Sequence, residues 1–249
     1  MNKATIPAVT IVIALFAIVL SLPPIAQDPN YHAFGDQNSL LGIPHALNVL
    51  SNLPYLLVGV LALRRFATGR FPPMSSYRRG MLMIFFGSIG LLAFGSSIYH
   101  LQPDNTGLLL DRLCMALAFG SYLLVLTGDY LGEKISALLA PGVLLFALGS
   151  VVYWYLGERD GQGDLRFYVV VQLMPVLLTP LLAGLCERKR AVRRLYWLIT
   201  LCYLLAKWCE YYDVEVFNIL GLISGHSLKH LISAFAVYLF YRVQINRGK

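Results

Sequence analysis

Apolar runs of membrane-spanning length recur along this chain of 249 residues, and most charged residues are confined to the connections between them. Each run can cross a hydrocarbon core of about 30 Å as a helix. With 57% hydrophobic and only 13% charged residues, the sequence leaves no room for a separate soluble domain. The chain therefore reads as all-α: a polytopic integral membrane helical bundle. The formal charge of +7 does not indicate nucleic-acid binding, because the basic residues sit in short loops between spans. Cys114, Cys186, Cys202 and Cys209 fall in or beside apolar runs, without zinc-finger spacing or a disulfide framework. They read as small buried hydrophobes.

In chain order, the first run is Ile6–Ile25, long for a signal peptide and without a clean small-x-small cleavage site, so a retained helix is expected. The later spans are expected near Pro44–Leu63, Gly80–Leu101, Gly107–Leu126, Ile135–Leu156, Leu165–Leu185, Leu195–Tyr212 and Gly225–Tyr241, with Pro175 and Pro180 as kinks. Alternating the spans from a cytoplasmic N-terminus puts Lys3, the arginines of the Arg64–Arg79 loop, Lys134, the basic residues of Arg188–Arg194, Arg242, Arg247 and Lys249 on the cytoplasmic side. Only Arg112, Arg159, Arg166, Lys207 and Lys229 remain on the other side, an asymmetry that fixes the orientation by the positive-inside rule. Both termini are then cytoplasmic.

The same alternation gathers His32, His45, His100, His226 and His230 at the non-cytoplasmic end. His226 and His230 open the last span one helical turn apart, a spacing that lets two imidazoles share one metal ion, although such a pair is also an ordinary polar helix start. Ionisable groups within a span are costly and tend to mark function. His100, at the end of the third span, is the candidate third ligand. Three histidines fill three corners of a zinc tetrahedron, and a water in the fourth would make the site catalytic. A fourth protein ligand, such as His45 or Asp111, would make it structural.

Asp111, early in the fourth span, is either a proton acceptor or a partner of Arg112 or of a ligand histidine. Ser96 lies one turn, about 6 Å, below His100. It is either an oxyanion donor or a small packing residue. Asn48, Ser51, Asn52 and Tyr55 form a polar stripe on the second span, suited to interhelical hydrogen bonding or to an accessory role beside His45.

Taken together, Asn48-x-x-Ser51-Asn52, Gly95-Ser96-x-x-Tyr99-His100, Leu110-Asp111 with Met115, and His226-x-x-x-His230 resemble the alkaline ceramidase family. That family belongs to a superfamily of membrane hydrolases that also contains the progestin and adipoQ receptors. The resemblance runs from about Asp28 to Tyr241. It implies a seven-helix core over residues 27–249, with residues 1–26 as an added N-terminal transmembrane helix. It further implies zinc (Zn2+) on His100, His226 and His230, proton transfer by Asp111 and oxyanion stabilisation by Ser96.

The implied reaction is hydrolysis of ceramide or a related N-acyl lipid to an amine and a fatty acid, with the bilayer and a lipid as the partners and no obligate protein partner. Another lipid amide or ester as substrate, or a non-catalytic zinc-stabilised bundle, remains the alternative. Animal alkaline ceramidases carry an acidic calcium (Ca2+) cluster with a Glu three residues before the first Asn of that motif. Here the position is His45 and only Asp28 and Asp36 precede it, which argues against calcium dependence.

Overall fold

Two adjacent prolines, Pro23 and Pro24, stop the first apolar run. The residue before a proline is pushed out of the helical region, and the first helix, α1, ends at Ser21 with Leu22 extended. It spans Thr5–Ser21, short of the predicted end at Ile25. The computed structural model describes residues 3–247; Lys249, counted above among the basic residues, lies outside them. After a 3-10 turn at Pro29–His32 come α2 (Ala46–Leu50), α3 (Leu53–Ala67), α4 (Ser76–Leu101), α5 (Asn105–Tyr130) and α6 (Glu133–Arg159). The chain continues through α7 (Arg166–Cys186), α8 (Arg190–Tyr211), α9 (Asp213–Leu220) and α10 (Gly225–Asn246). No strand occurs among the described residues.

Among the described residues, five spans are long and apolar enough to cross a membrane: α2 with α3, then α4, α5, α6 and α7. A sixth is reached if α9 and α10, bent by 102°, count as one. The other two expected spans fall short for separate reasons. α1 has 17 residues. α8 carries Arg190, Arg193 and Arg194 at one end and Lys207 and Glu210 at the other, leaving only about 18 Å of uncharged helix between them.

The second span is broken where the sequence suggested one helix. Pro54 has no N–H to give the Leu50 carbonyl, and α2 stops at Leu50 before α3 starts at Leu53. Ser51 and Asn52 sit in the break, both buried. α7, by contrast, continues through Pro175 and Pro180, and α10 runs past the predicted Tyr241 to Asn246.

α5 packs against α4, α6 and α7, while α10 packs against α8 and α3. The outward faces of the bundle are leucine-rich: Leu91 is 61% exposed, Leu138 83% and Leu145 71%, as lipid contact requires. Buried aromatics such as Phe85, Phe86, Tyr122 and Phe240 fill the interior. Gly95 lets α4 and α5 meet closely, since a Cβ there would lie 3.2 Å from the Leu110 carbonyl oxygen. That contact sets Ser96 of α4 against Asp111 of α5.

At the end of the bundle away from the histidines, polar residues tie helices together. Arg78 donates to both Asp129 oxygens at 2.9 and 3.2 Å and to Gln244 Oε1 at 2.6 Å. Arg247 pairs with Asp129 at 3.1 Å and with Glu187 at 3.3 Å.

Candidate metal centre

Ser224 caps α10, its Oγ accepting from the Ser227 backbone N–H at 3.1 Å. Gly225 follows because nothing larger fits: a Cβ would collide with the Cys209 carbonyl oxygen and lie 2.8 Å from the Asp213 Cα. Asp213 then anchors this start. One carboxylate oxygen accepts from the His226 N–H at 2.7 Å, and the other accepts from the Gly35 N–H at 2.7 Å. The first turn of α10 is thus pinned to α8, α9 and the loop after α1, and its two histidines point into the bundle end.

There they meet His100. One ligating nitrogen from each of His100, His226 and His230 lies within 4.8 Å of the others, and all three residues are buried. Ring centroids are 4.7 Å (His100–His226), 5.0 Å (His100–His230) and 4.9 Å (His226–His230) apart. No other His, Cys, Asp or Glu joins the group among the described residues. Phe34, from the loop after α1, covers the cluster, with its ring 4.7 Å from both His100 and His226.

The ring nitrogens of His230 and His100 suit a metal. The Ser51 hydroxyl has one hydrogen and donates it to the Asn48 carbonyl at 2.9 Å. His230 Nδ1, at 2.8 Å from the same oxygen, must therefore be the donor to it, which leaves the lone pair on Nε2. The Lys229 ammonium, a donor only, lies 2.9 Å from His226 Nε2 and occupies that lone pair, so the lysine must turn away for His226 to bind an ion through it. His100 is fully buried, and neither ring nitrogen has a hydrogen-bond partner. A buried polar atom left unpaired costs about 1–3 kcal/mol, and a metal ion would remove that cost at one of the two nitrogens. The donor set is compatible with zinc.

The accessory residues fall into place around this cluster. Asn48 Oδ1 accepts from Ser224 Oγ at 3.1 Å and Ser227 Oγ at 2.6 Å, joining α2 to the start of α10. Asn52 donates to the Asn48 carbonyl at 2.9 Å. His45 is outside the cluster; its Nδ1 lies 3.0 Å from the His100 carbonyl and braces that backbone. His32 bridges Tyr99 and Asn105 at 2.9 and 3.1 Å. The five histidines do share one end of the bundle.

Ser96 and Asp111 stand on the wall of a cavity of about 480 Å³ that also exposes His230. The Ser96 hydroxyl faces the Asp111 carboxylate. From this polar end the cavity runs between helices to Phe85, Tyr122 and Phe240. Phe240 lies about 15 Å along α10 from His230. Arg112 does not pair with Asp111 and turns instead to Gln27, Tyr31, Trp154 and Tyr168. Of the cysteines only Cys209 is buried, the other three being half-buried.

Several residues that build the site carried no sequence signal. Phe34 sits in a polar connection, with no periodicity to mark it as core. Glu210 and Asp213 belong to no motif or periodic stripe, yet Glu210 binds both Lys207 and Lys229 and accepts from Tyr31 at 3.2 Å. Lys229 was visible only as a charge inside the last span. No protein-family model matches the chain, and no curated protein matches it.

Proposed function

We propose that the protein is a zinc-dependent membrane amidohydrolase that cleaves the amide bond of ceramide or a related N-acyl lipid. The observation that carries this reading is three buried histidines, without a fourth protein ligand among the described residues, set beside an apolar cavity that has Ser96 and Asp111 on its wall. A closed four-ligand site would favour a structural ion; a three-ligand site leaves a position for water or substrate. The cavity volume falls within the 300–1,000 Å³ range of small-molecule sites, and its aromatic floor suits an acyl chain.

His100, His226 and His230 would hold the zinc, which when bound lowers the pKa of a water and polarises a carbonyl. The chain's own residues do the rest. Asp111 accepts the proton released from the attacking water and returns it to the leaving amine. Ser96, whose single hydroxyl hydrogen faces Asp111, orients that carboxylate; turned toward the substrate, it donates to the carbonyl oxygen as negative charge develops. Ser51 holds His230 in the tautomer that keeps Nε2 free. Phe34 covers the histidines and limits water.

In this reading α1 is an addition to a seven-span core formed by α2 to α10. The core counts α2 with α3, and α9 with α10, as single spans and includes α8. The termini are cytoplasmic and the site faces the opposite side. The test is to measure the metal content of purified protein together with fatty-acid release from a panel of lipid amides and esters. About one zinc per chain and turnover of an N-acyl sphingoid base are expected. Stoichiometric zinc without release from any amide or ester would replace this reading with a non-catalytic, zinc-stabilised bundle.

A further inference from the structure

Arg112 is a buried guanidinium in no ion pair, although the neighbouring Asp111 carboxylate is near enough to feel its charge. The arginine is 6% exposed, and no carboxylate lies within ion-pair distance of it among the described residues. Its Cζ lies 4.1 Å over the Trp154 ring and 5.4 Å from the rings of Tyr31 and Tyr168. Aromatic faces satisfy the flat face of a guanidinium, not its in-plane N–H groups, of which there are five. Nη2 donates to Gln27 Oε1 at 2.7 Å, whereas Nη1 is buried and has no partner.

Arg112 also lines the cavity, on the same wall as Asp111. Adjacent residues near the start of α5 lie at nearly the same depth. The guanidinium is therefore level with the group proposed to act on the amide, on the side of Gln27, Tyr31 and Tyr168. The apolar run toward Phe240 leads the other way. Those two directions divide a lipid amide: the acyl chain belongs in the apolar run, and the amine half belongs beside Arg112.

We propose that Arg112 is a specificity-determining residue that binds an oxyanion, such as a carboxylate, on the amine half of the lipid amide. This rests on the amidohydrolase reading. Guanidinium and carboxylate match as paired, charge-assisted hydrogen bonds. A neutral hydroxyl head in the same place would accept a hydrogen bond without the charge assistance, the weaker match.

The experiment measures binding rather than turnover. Detergent-purified protein, stripped with EDTA so that no carboxylate can bind through a metal, is titrated calorimetrically with N-lauroylglycine and with N-lauroylethanolamine. The two share acyl chain and amide and differ in carboxylate against hydroxyl. The wild type is expected to bind the glycine conjugate at least about tenfold more tightly, the scale of one hydrogen bond to a charged group. Arg112→Gln should remove most of that preference and Arg112→Lys only part, with thermal melts confirming folded protein. Equal affinity of the wild type for the two lipids would overturn the proposal even if no variant folds. So would a preference that survives in Arg112→Gln. Turnover of a neutral amide by metal-loaded wild type is followed in parallel. If it is present while the preference is absent, the head-group inference fails and the amidohydrolase reading stands.

Discussion

The chemistry converges on a few side chains whose partners define their roles. His230 keeps a free lone pair because Ser51 receives its Nδ1 hydrogen, His226 gives its Nε2 lone pair to Lys229 until an ion displaces the lysine, and His100 has no other partner. His226→Ala or His230→Ala should therefore lose the metal, because two imidazoles hold zinc weakly; full zinc occupancy in the double variant would refute the site. Ser51→Ala removes the hydroxyl that receives the His230 Nδ1 hydrogen. It should weaken zinc about 10–100-fold, the usual effect of deleting such a partner, as read by competition with a chelator. Asp111→Asn should keep the zinc and the fold but lower kcat by roughly 10²–10⁴-fold. Ser96→Ala should cost on the order of 10²–10³-fold in kcat if its hydroxyl serves the oxyanion as in known cases. Loss of zinc in Asp111→Asn would mean that the carboxylate holds metal. The histidines, Ser96 and Asp111 were legible because spacing and span parity place them at one end of the bundle. Phe34 and Glu210 were not, because a loop aromatic and an acid outside any motif acquire their roles only through contacts distant in sequence.

The elements were legible where lipid imposes one period and illegible where a single residue overrides it. α4 to α7 follow from uninterrupted apolar runs. The division of α2 from α3 follows from Pro54, whose missing N–H an apolar stripe conceals. The 102° bend between α9 and α10 was hidden too, since the stretch between the expected spans ending at Tyr212 and starting at Gly225 reads only as a connection. Gly225 is the element-level pivot of the site, because any side chain there meets the backbone of Cys209 and Asp213, which cannot move cheaply. Gly225→Ala should lower stability by about 1–3 kcal/mol, typical of overpacking, and should weaken zinc together with it by shifting the first turn of α10. Gly80→Ala, with nothing within 4 Å of its Cβ, is the control and should leave the melting temperature unchanged or raise it. Equal melting behaviour for the two variants would contradict the packing argument.

At the scale of the whole molecule, the two ends of the bundle differ in kind. One gathers the histidines under Phe34; the other holds Arg78 and Arg247 around Asp129 and Glu187. Most of the 20 basic residues fall, by span parity, at the second end, which the positive-inside rule assigns to the cytoplasm. That predicts a cytoplasmic reporter when one is fused after Lys249, and a tag accessible from the opposite side in the loop between α6 and α7. The insertion point matters. Asp164 is 2% exposed and accepts from the Ile25 N–H at 3.3 Å, while Arg166 Nη1 donates to the Leu22 carbonyl at 2.7 Å. Together they latch the segment after α1 to the start of α7, so a tag at Asp164 would break that latch. A tag between Gly161 and Gln162, both exposed, leaves it intact. External labelling of that tag in sealed cells, together with a protected reporter after Lys249, is the expected result. The reverse pattern would place the three histidines at the cytoplasmic face, and the lipid amide would then have to enter from the inner leaflet.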